Sequence, residues 1–234
     1  MEVPATLLLL CGGSGNRMLG TVGDKVLVEL RGKPVVQHTL DTLPQLPFFD
    51  SLVVATRDEE QRRRIERLLQ AIQGLPATYW TEGGPTRQDS VWNGFAGVPR
   101  GPRLVFIHDA ARPLVVPDVW HRLYRMALDH DSAILARPVT DTIKEVEQPL
   151  SEVHRQQVRT LDRSRLWAVE TPQVFSLEAI REAYRSARDA GVVMTDDCSA
   201  LERLGQPVSF LENPHPNPKI TRPADLEWVE FLLQ

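Results

Sequence analysis

The sequence predicts an α/β domain with a mainly parallel sheet, and three observations lead there. Short apolar runs bounded by turn residues alternate with helix-period segments along most of the chain. The first of these runs, Leu7 to Leu10, is too short for a helix and passes directly into a glycine-rich turn. The composition, 42% hydrophobic and 25% charged over 234 residues, is that of an ordinary globular protein. One domain over residues 1–234, with an excursion at 138–167, is the natural division.

Taken in order, the expected strands are Thr6 to Leu10, Ser51 to Ala55, Ala77 to Trp80, Leu104 to Ile107, Ala133 to Ala136 and Val208 to Leu211. Between the second and third, Gln61-Arg62-Arg63-Arg64 reads as the solvated face of a helix whose apolar face is Ile65, Leu68, Leu69 and Ile72. Ser176 is placed to cap a helix from Leu177 to Ala190, with Phe175 and Ile180 as a hydrophobic staple and Gly191 as its stop. Thr195 is expected to cap a short helix ending at Leu204 and Gly205. Thr221 and Pro223 open a last helix with Leu226, Val229, Leu232 and Leu233 on one face. The excursion from Pro138 to Trp167 is extended and polar, with a turn at Glu147-Gln148-Pro149. As a hairpin it carries too few apolar residues to stand alone, so it is expected to pack on a second copy of the chain. The alternative is a long surface loop, uncommon in compact domains.

Composition excludes several classes. A net charge of -4 gives no footprint for nucleic acid. No apolar stretch approaches the ~20 residues needed to cross a bilayer, and the N-terminus lacks the basic start of a secretory signal. Cys11 and Cys198 alone cannot build a disulfide framework, so a cytoplasmic, reducing setting is expected.

The chemistry collects just after strands, where open α/β sheets bind ligands. In Gly12-Gly13-Ser14-Gly15-Asn16-Arg17-Met18, three of four consecutive positions are glycine. Such a turn lets amide N–H groups face phosphate oxygens, and Arg17 and Lys25 add full positive charges. It lacks the Gly-Lys-Ser/Thr close of a Walker loop and the third glycine of a dinucleotide fingerprint. Glu82-Gly83-Gly84-Pro85-Thr86-Arg87-Gln88-Asp89-Ser90 offers a second glycine turn at a helix start, able to read a base edge or a phosphate or to serve as a capped turn. His108-Asp109-Ala110-Ala111-Arg112-Pro113 places a carboxylate and an arginine at a strand end, suited to a metal-nucleotide site or to an ion pair within a bend. His108 itself reads as a hydrogen-bonded structural group. Asp141-Thr142-Ile143-Lys144 and Asp162-Arg163 fall on the two limbs of the hairpin. Lys219 and Arg222 sit before a helix start, where a cation opposes the helix dipole unless an anion is near. No nucleophile elbow is present, and Cys11 has no evident local histidine partner. A phosphomonoester acting as nucleophile needs none, being mostly dianionic at neutral pH. The protein would then align the reactants and stabilise charge with Arg, Lys, N–H groups and Mg²⁺.

Together these segments resemble the 2-C-methyl-D-erythritol 4-phosphate cytidylyltransferases. The resemblance runs from the first glycine loop and Lys25 through Arg87-Gln88-Asp89-Ser90-Val91, His108 to Pro113, Pro138 to Lys144, Asp162-Arg163 and Leu166-Trp167. It continues through Thr171-Pro172-Gln173, Thr195-Asp196-Asp197 and Lys219-Ile220-Thr221-Arg222-Pro223. It implies a Rossmann-like nucleotidyltransferase domain with an extended β-arm that joins a homodimer. It implies that CTP is joined to a polyol phosphate, 2-C-methyl-D-erythritol 4-phosphate, with release of pyrophosphate, in the non-mevalonate route to isoprenoids, with a divalent metal, Mg²⁺. Arg17 and Lys25 would stabilise the α-phosphate and the departing pyrophosphate. Lys219, and Arg163 from the other subunit, would hold the sugar phosphate; Asp109, Arg112 and Thr142 would contact the sugar alcohol, Asp109 near the metal as well. Gly12, Gly13, Gly84 and Ser90 would read cytosine, with Ser14, Gly15 and Arg87 completing the binding surface. Two alternatives stay open: a ribitol 5-phosphate cytidylyltransferase, or a non-catalytic nucleotide-binding regulator. The chain departs from the family at Asp24-Lys25-Val26, where Pro-Lys-Gln is usual. That carboxylate weakens the clamp, turns away or joins a metal. Asn217-Pro218-Lys219 replaces Asn-Ile-Lys.

Overall fold

The computed structural model describes residues 3–12, 24–101, 103–147 and 157–234. The first half of the chain gives β1 (Ala5–Leu10), β2 (Glu29–Leu30), β3 (Lys33–Pro34), α1 (Val35–Leu40), β4 (Phe49–Thr56), α2 (Glu59–Gln70), β5 (Ala77–Glu82), α3 (Arg87–Gly94) and β6 (Leu104–Asp109). The second half gives α4 (Pro117–His130), β7 (Ser132–Pro138), β8 (Lys144–Val146), β9 (Val158–Thr160), β10 (Trp167–Ser176), α5 (Leu177–Asp189), α6 (Cys198–Arg203), β11 (Ser209–Glu212) and α7 (Pro223–Leu232).

Seven strands form the central sheet in the order β11-β7-β10-β6-β1-β4-β5. All neighbours pair parallel except β10, which runs antiparallel to both β6 and β7. The unbroken leucine run of β1 is what a strand covered on both faces requires. Its alternation sends Leu7 and Leu9 to one layer with Phe106 and Trp120, and Leu8 to the other with Val53, Ile107 and Tyr184. Six expected strands are present. The seventh, β10, was not expected; it holds Pro172, which removes a ladder donor in the middle of it. The structure accommodates it with a shift of register between Val169 and Gln173.

Several ends differ from expectation. Gly191 and Gly205 do close their helices at positive φ, 63° and 67°. Ser176 precedes α5 but its side chain makes no cap hydrogen bond; the Leu177 N–H goes to the Arg103 carbonyl. Thr195 does not cap α6, which starts three residues later, at Cys198. The Cys198 N–H donates to Gln173 Oε1 and the Ser199 N–H to Asp196 Oδ1, so β10 and Asp196 supply what Thr195 was expected to give. In the excursion, Pro138 pairs with Trp167 at the base and β8 with β9 further out, Lys144 opposite Thr160; residues 148–156 lie outside the described ones. Along α7, Val229 is buried while Trp228 and Phe231 are exposed.

Gly94 shows how closely α3 lies on β1: a Cβ there would come within 2.4 Å of Leu8 Cδ1. Gly94→Ala should therefore cost about 1–3 kcal/mol in chemical denaturation, the penalty of overpacking a filled layer.

Candidate active site

The carboxyl end of the sheet collects charge around the last residue of β6. Asp109 is nearly buried, and both its oxygens are taken: Arg87 Nε donates to Oδ1 at 3.0 Å and Lys219 Nζ to Oδ2 at 2.5 Å. Burial alone would raise this carboxyl, but Arg87 and then Lys219 more than offset it, holding it well below the usual carboxylate range. Arg87 reaches on to Asp197, whose side chain is fully buried, with NH1 at 2.9 Å and NH2 at 2.7 Å. The Tyr184 hydroxyl donates to the same carboxylate at 2.5 Å. Burial disfavours the Arg87 charge, yet Asp197 and Asp109 raise its guanidinium well above its ordinary value. A planar fork meeting a carboxylate in two bonds fixes direction as well as charge.

Backbone contacts keep the cations near. The Ile220 N–H donates to the Ala111 carbonyl, joining the loop of Lys219 to the turn after β6. Arg112 NH1 donates to the Asn217 carbonyl at 2.6 Å, and burial lowers the Arg112 guanidinium. Asn217 in turn donates to Glu170 Oε2 at 3.0 Å and to the Thr171 carbonyl, while Asn213 donates to Glu170 at 2.8 Å. The cation placed before α7 thus finds its anion in Asp109. The α7 start is served by Asp225, whose Oδ2 accepts from the N–H groups of Thr221 and Arg222 at 2.7 Å.

His108 is fully buried behind this cluster, with Nδ1 3.1 Å from Thr171 Oγ1 and Nε2 3.2 Å from the Arg112 carbonyl. Thr171 Oγ1 also accepts the Asp109 N–H at 3.1 Å. Burial pushes the imidazole down to about 3. It is a structural group, as expected.

At the other side of the strand ends, Gly12 and Gly83 are packed together. A Cβ on Gly83 would sit 3.7 Å from Gly12 Cα, and one on Gly84 would run into Asp89 at 2.2 Å. The Gly12 N–H donates to the Ala55 carbonyl, Gly83 to Thr56, and Gly84 to Ser90 Oγ at 3.0 Å. Ser90 passes its own proton to the Thr86 carbonyl at 2.9 Å. These donors are therefore committed inside the protein.

Of the residues marked out by sequence, Asp109, Arg112, Lys219 and Arg87 form one cluster, and Gly12, Gly84 and Ser90 gather at the neighbouring turns. Arg87 is turned inward to carboxylates. Arg163 lies in the turn after β9 and donates to the Thr140 carbonyl at 2.7 Å; Thr142 is exposed. No hydrogen bond or ion pair among the described residues joins either to Asp109. Gly13, Ser14, Gly15 and Arg17 lie outside the described residues. Asp197, Tyr184, Glu170 and Thr171 had no expected role. The signal for Asp197 was two adjacent carboxylates beside a short helix, with no indication of which faced inward.

The model for the 2-C-methyl-D-erythritol 4-phosphate cytidylyltransferase family matches residues 5–234. The chain belongs to this family of nucleotidyltransferases. A protein of that name from Symbiobacterium thermophilum is 39% identical over the whole of this chain and 94% of its own length. Another, from Synechococcus sp. strain WH7803, is 40% identical over 97% of this chain and 98% of its own. The crystal structure of the Thermus thermophilus protein of the same name superposes with a TM-score of 0.75 at 28% identity, covering 99% of this chain and 98% of that one.

The imidazole of His108 sets a pH dependence. Its folded value lies below its ordinary value of about 6.5, so under that pH the unfolded chain takes up a proton that the folded chain refuses. Stability should fall as pH drops from about 6.5 toward 3. In urea titrations a His108→Asn variant, though less stable, should show a flatter slope between pH 6.5 and 4.5.

Proposed function

We propose that this chain joins the cytidylyl group of CTP to the phosphate of 2-C-methyl-D-erythritol 4-phosphate and releases pyrophosphate. The observation that carries the reading is the Asp109–Lys219 pair at the strand ends, in a chain of this family: an anion-binding ammonium beside a hydroxyl-accepting carboxylate. A polyol phosphate has both complementary groups. The substrate named for the relatives does not favour the ribitol alternative, and an enzyme family does not favour a regulator.

The reaction asks for alignment and charge stabilisation. Neither cysteine is a candidate nucleophile, since both are buried and burial pushes their thiols up. The substrate phosphate, dianionic near neutrality, attacks the α-phosphorus, and pyrophosphate leaves. Lys25 and Arg17 take the triphosphate charge, and Lys219 orients the attacking phosphate. Arg112 and Thr142 line the sugar side. With the N–H groups of Gly12, Gly83 and Gly84 used inside the protein, their carbonyl oxygens would suit the exocyclic amine of cytosine and oppose the carbonyl of uracil. Among the described residues no group of three or more metal-binding side chains occurs, and both Asp109 oxygens face cations. That fits a Mg²⁺ ion carried mainly on phosphate oxygens, which Asp109 would join only by giving up Arg87 or Lys219. Bound there, the ion would neutralise triphosphate charge.

The arm supports a homodimer in this proposal. Val158 is 57% exposed, and at the arm's base Trp167 and Phe210, 39% and 46% exposed, meet edge to face. A second copy would cover them and bring its Arg163 to the site. No described helix is long and apolar enough to cross a membrane. With no disulfide between its two cysteines, a cytoplasmic setting is proposed.

Purified protein with Mg²⁺, CTP and methylerythritol phosphate should release pyrophosphate, with UTP and ribitol 5-phosphate much poorer substrates; release with none of them sinks the reading. Lys25→Ala should lower kcat by about 10²-fold or more while the melting temperature holds. Mixed dimers of Lys25→Ala and Arg163→Ala subunits should regain activity that neither variant has alone, because one of the two sites is then intact.

A further inference from the structure

The side chain of Gln61 was expected among solvated arginines, yet it is 1% exposed. A glutamine amide has two N–H donors and a carbonyl acceptor, and here they bind three segments distant in sequence. Nε2 donates to the Cys11 carbonyl at 3.1 Å, at the end of β1, and to Asp24 Oδ2 at 2.7 Å. Oε1 accepts the Arg57 N–H at 2.7 Å, in the turn between β4 and α2. Asp24 is equally committed. Its side chain is 8% exposed, Oδ1 accepts the Val26 N–H at 3.2 Å, and Arg57 NH2 lies 3.4 Å from Oδ2. Cys11 immediately precedes Gly12, and Asp24 immediately precedes Lys25. On the third side, the β4–α2 turn packs against Gly12, whose Cβ would come within 3.2 Å of the Arg57 nitrogen.

We infer that Gln61 and Asp24 are positioning residues that hold the backbone at Lys25 in register with Gly12, and that Asp24 binds no metal. Of the three readings of Asp24, the geometry selects the one in which it turns away: its carboxylate faces Gln61 and Arg57. Arg57 also balances its charge, so the carboxylate beside Lys25 does not cancel the lysine. The pair touches no reacting atom and acts through the segments it ties. The inference rests on the CTP reading of the site, so its test begins with CTP binding alone, which does not require turnover.

Asp24→Asn keeps size and the Val26 contact but turns an acceptor toward Gln61 into a donor. Isothermal calorimetry with CTP and Mg²⁺ should show Kd raised about tenfold, the cost of one buried hydrogen-bond partner mismatched. In turnover, KM for CTP should rise by a similar factor, with KM for the polyol phosphate and the half-saturating Mg²⁺ concentration within twofold. Gln61→Glu should show the same split, and adding Asp24→Asn to it should recover part of the CTP affinity, because donor and acceptor are then exchanged across the pair. Should Gln61→Glu not fold, Asp24→Ser, which loses the Gln61 and Arg57 contacts, serves beside Asp24→Asn. An unchanged CTP Kd in the Asp24 variants, or equal rises in both KM values, overturns the inference. A raised Mg²⁺ requirement does so as well, by making Asp24 a metal ligand. Wild-type protein that binds CTP but turns over no polyol phosphate would instead overturn the proposed function and leave the binding test standing.

Discussion

The carboxylate of Asp109 is shared between two cations that arrive from opposite directions in the sequence, and the carboxyl end of the sheet is organised by that sharing. Arg87 comes from the start of α3 and Lys219 from the loop before α7. A buried carboxylate with one partner missing is costly, so each cation is held where the other leaves an oxygen. Asp197 extends the arrangement by fixing the far side of Arg87, which gives the guanidinium one orientation. The packing of α3 and α5 on one sheet face is in this way joined to the polar floor of the site.

A second layer of buried polar groups comes from β10. Glu170 and Thr171 would be poor choices in a central strand if their neighbours were apolar. Here Glu170 accepts from Asn213 and Asn217, and Thr171 meets both His108 and the Asp109 N–H. A satisfied polar network in a low-dielectric setting is rigid, whereas one missing partner makes it costly. The two loops that carry Arg112 and Lys219 are thus braced by a strand that contributes none of the expected ligand-binding residues.

Much of this was legible in the residue order. The six runs could be read because each is a short apolar stretch bounded by turn residues, and Asp109, Arg112 and Lys219 stood out as charges at strand or helix ends. What was not legible depends on partners far along the chain. β10 carries Pro172, which lacks a ladder donor, and nothing local showed that Glu170 would find two asparagines more than forty positions later. Thr195 looked like a cap because helix starts are read locally, while the acceptor for the Cys198 N–H was Gln173, from β10. Gln61 followed the helical period of a solvated face, and its burial is decided by Cys11 and Asp24, which no periodicity reports. Arg87 was read as part of the binding surface, and its guanidinium is turned to Asp109 and Asp197, a direction that sequence does not show.

The closure of Lys219 onto Asp109 bears on discrimination among anions. Arg87, Lys219, Asp109 and Asp197 balance one another in charge, with Arg112 beside them outside that balance. An anion that draws Lys219 away leaves Asp109 with an oxygen unsatisfied, and the phosphate of a dianionic phosphomonoester, which carries no proton to donate, cannot repair that by itself. A molecule bearing both a phosphate and a correctly spaced hydroxyl replaces both halves of the broken pair. Selectivity in such a site arises as an exchange of partners, with the protein's own ion pair acting as the competitor every ligand must displace.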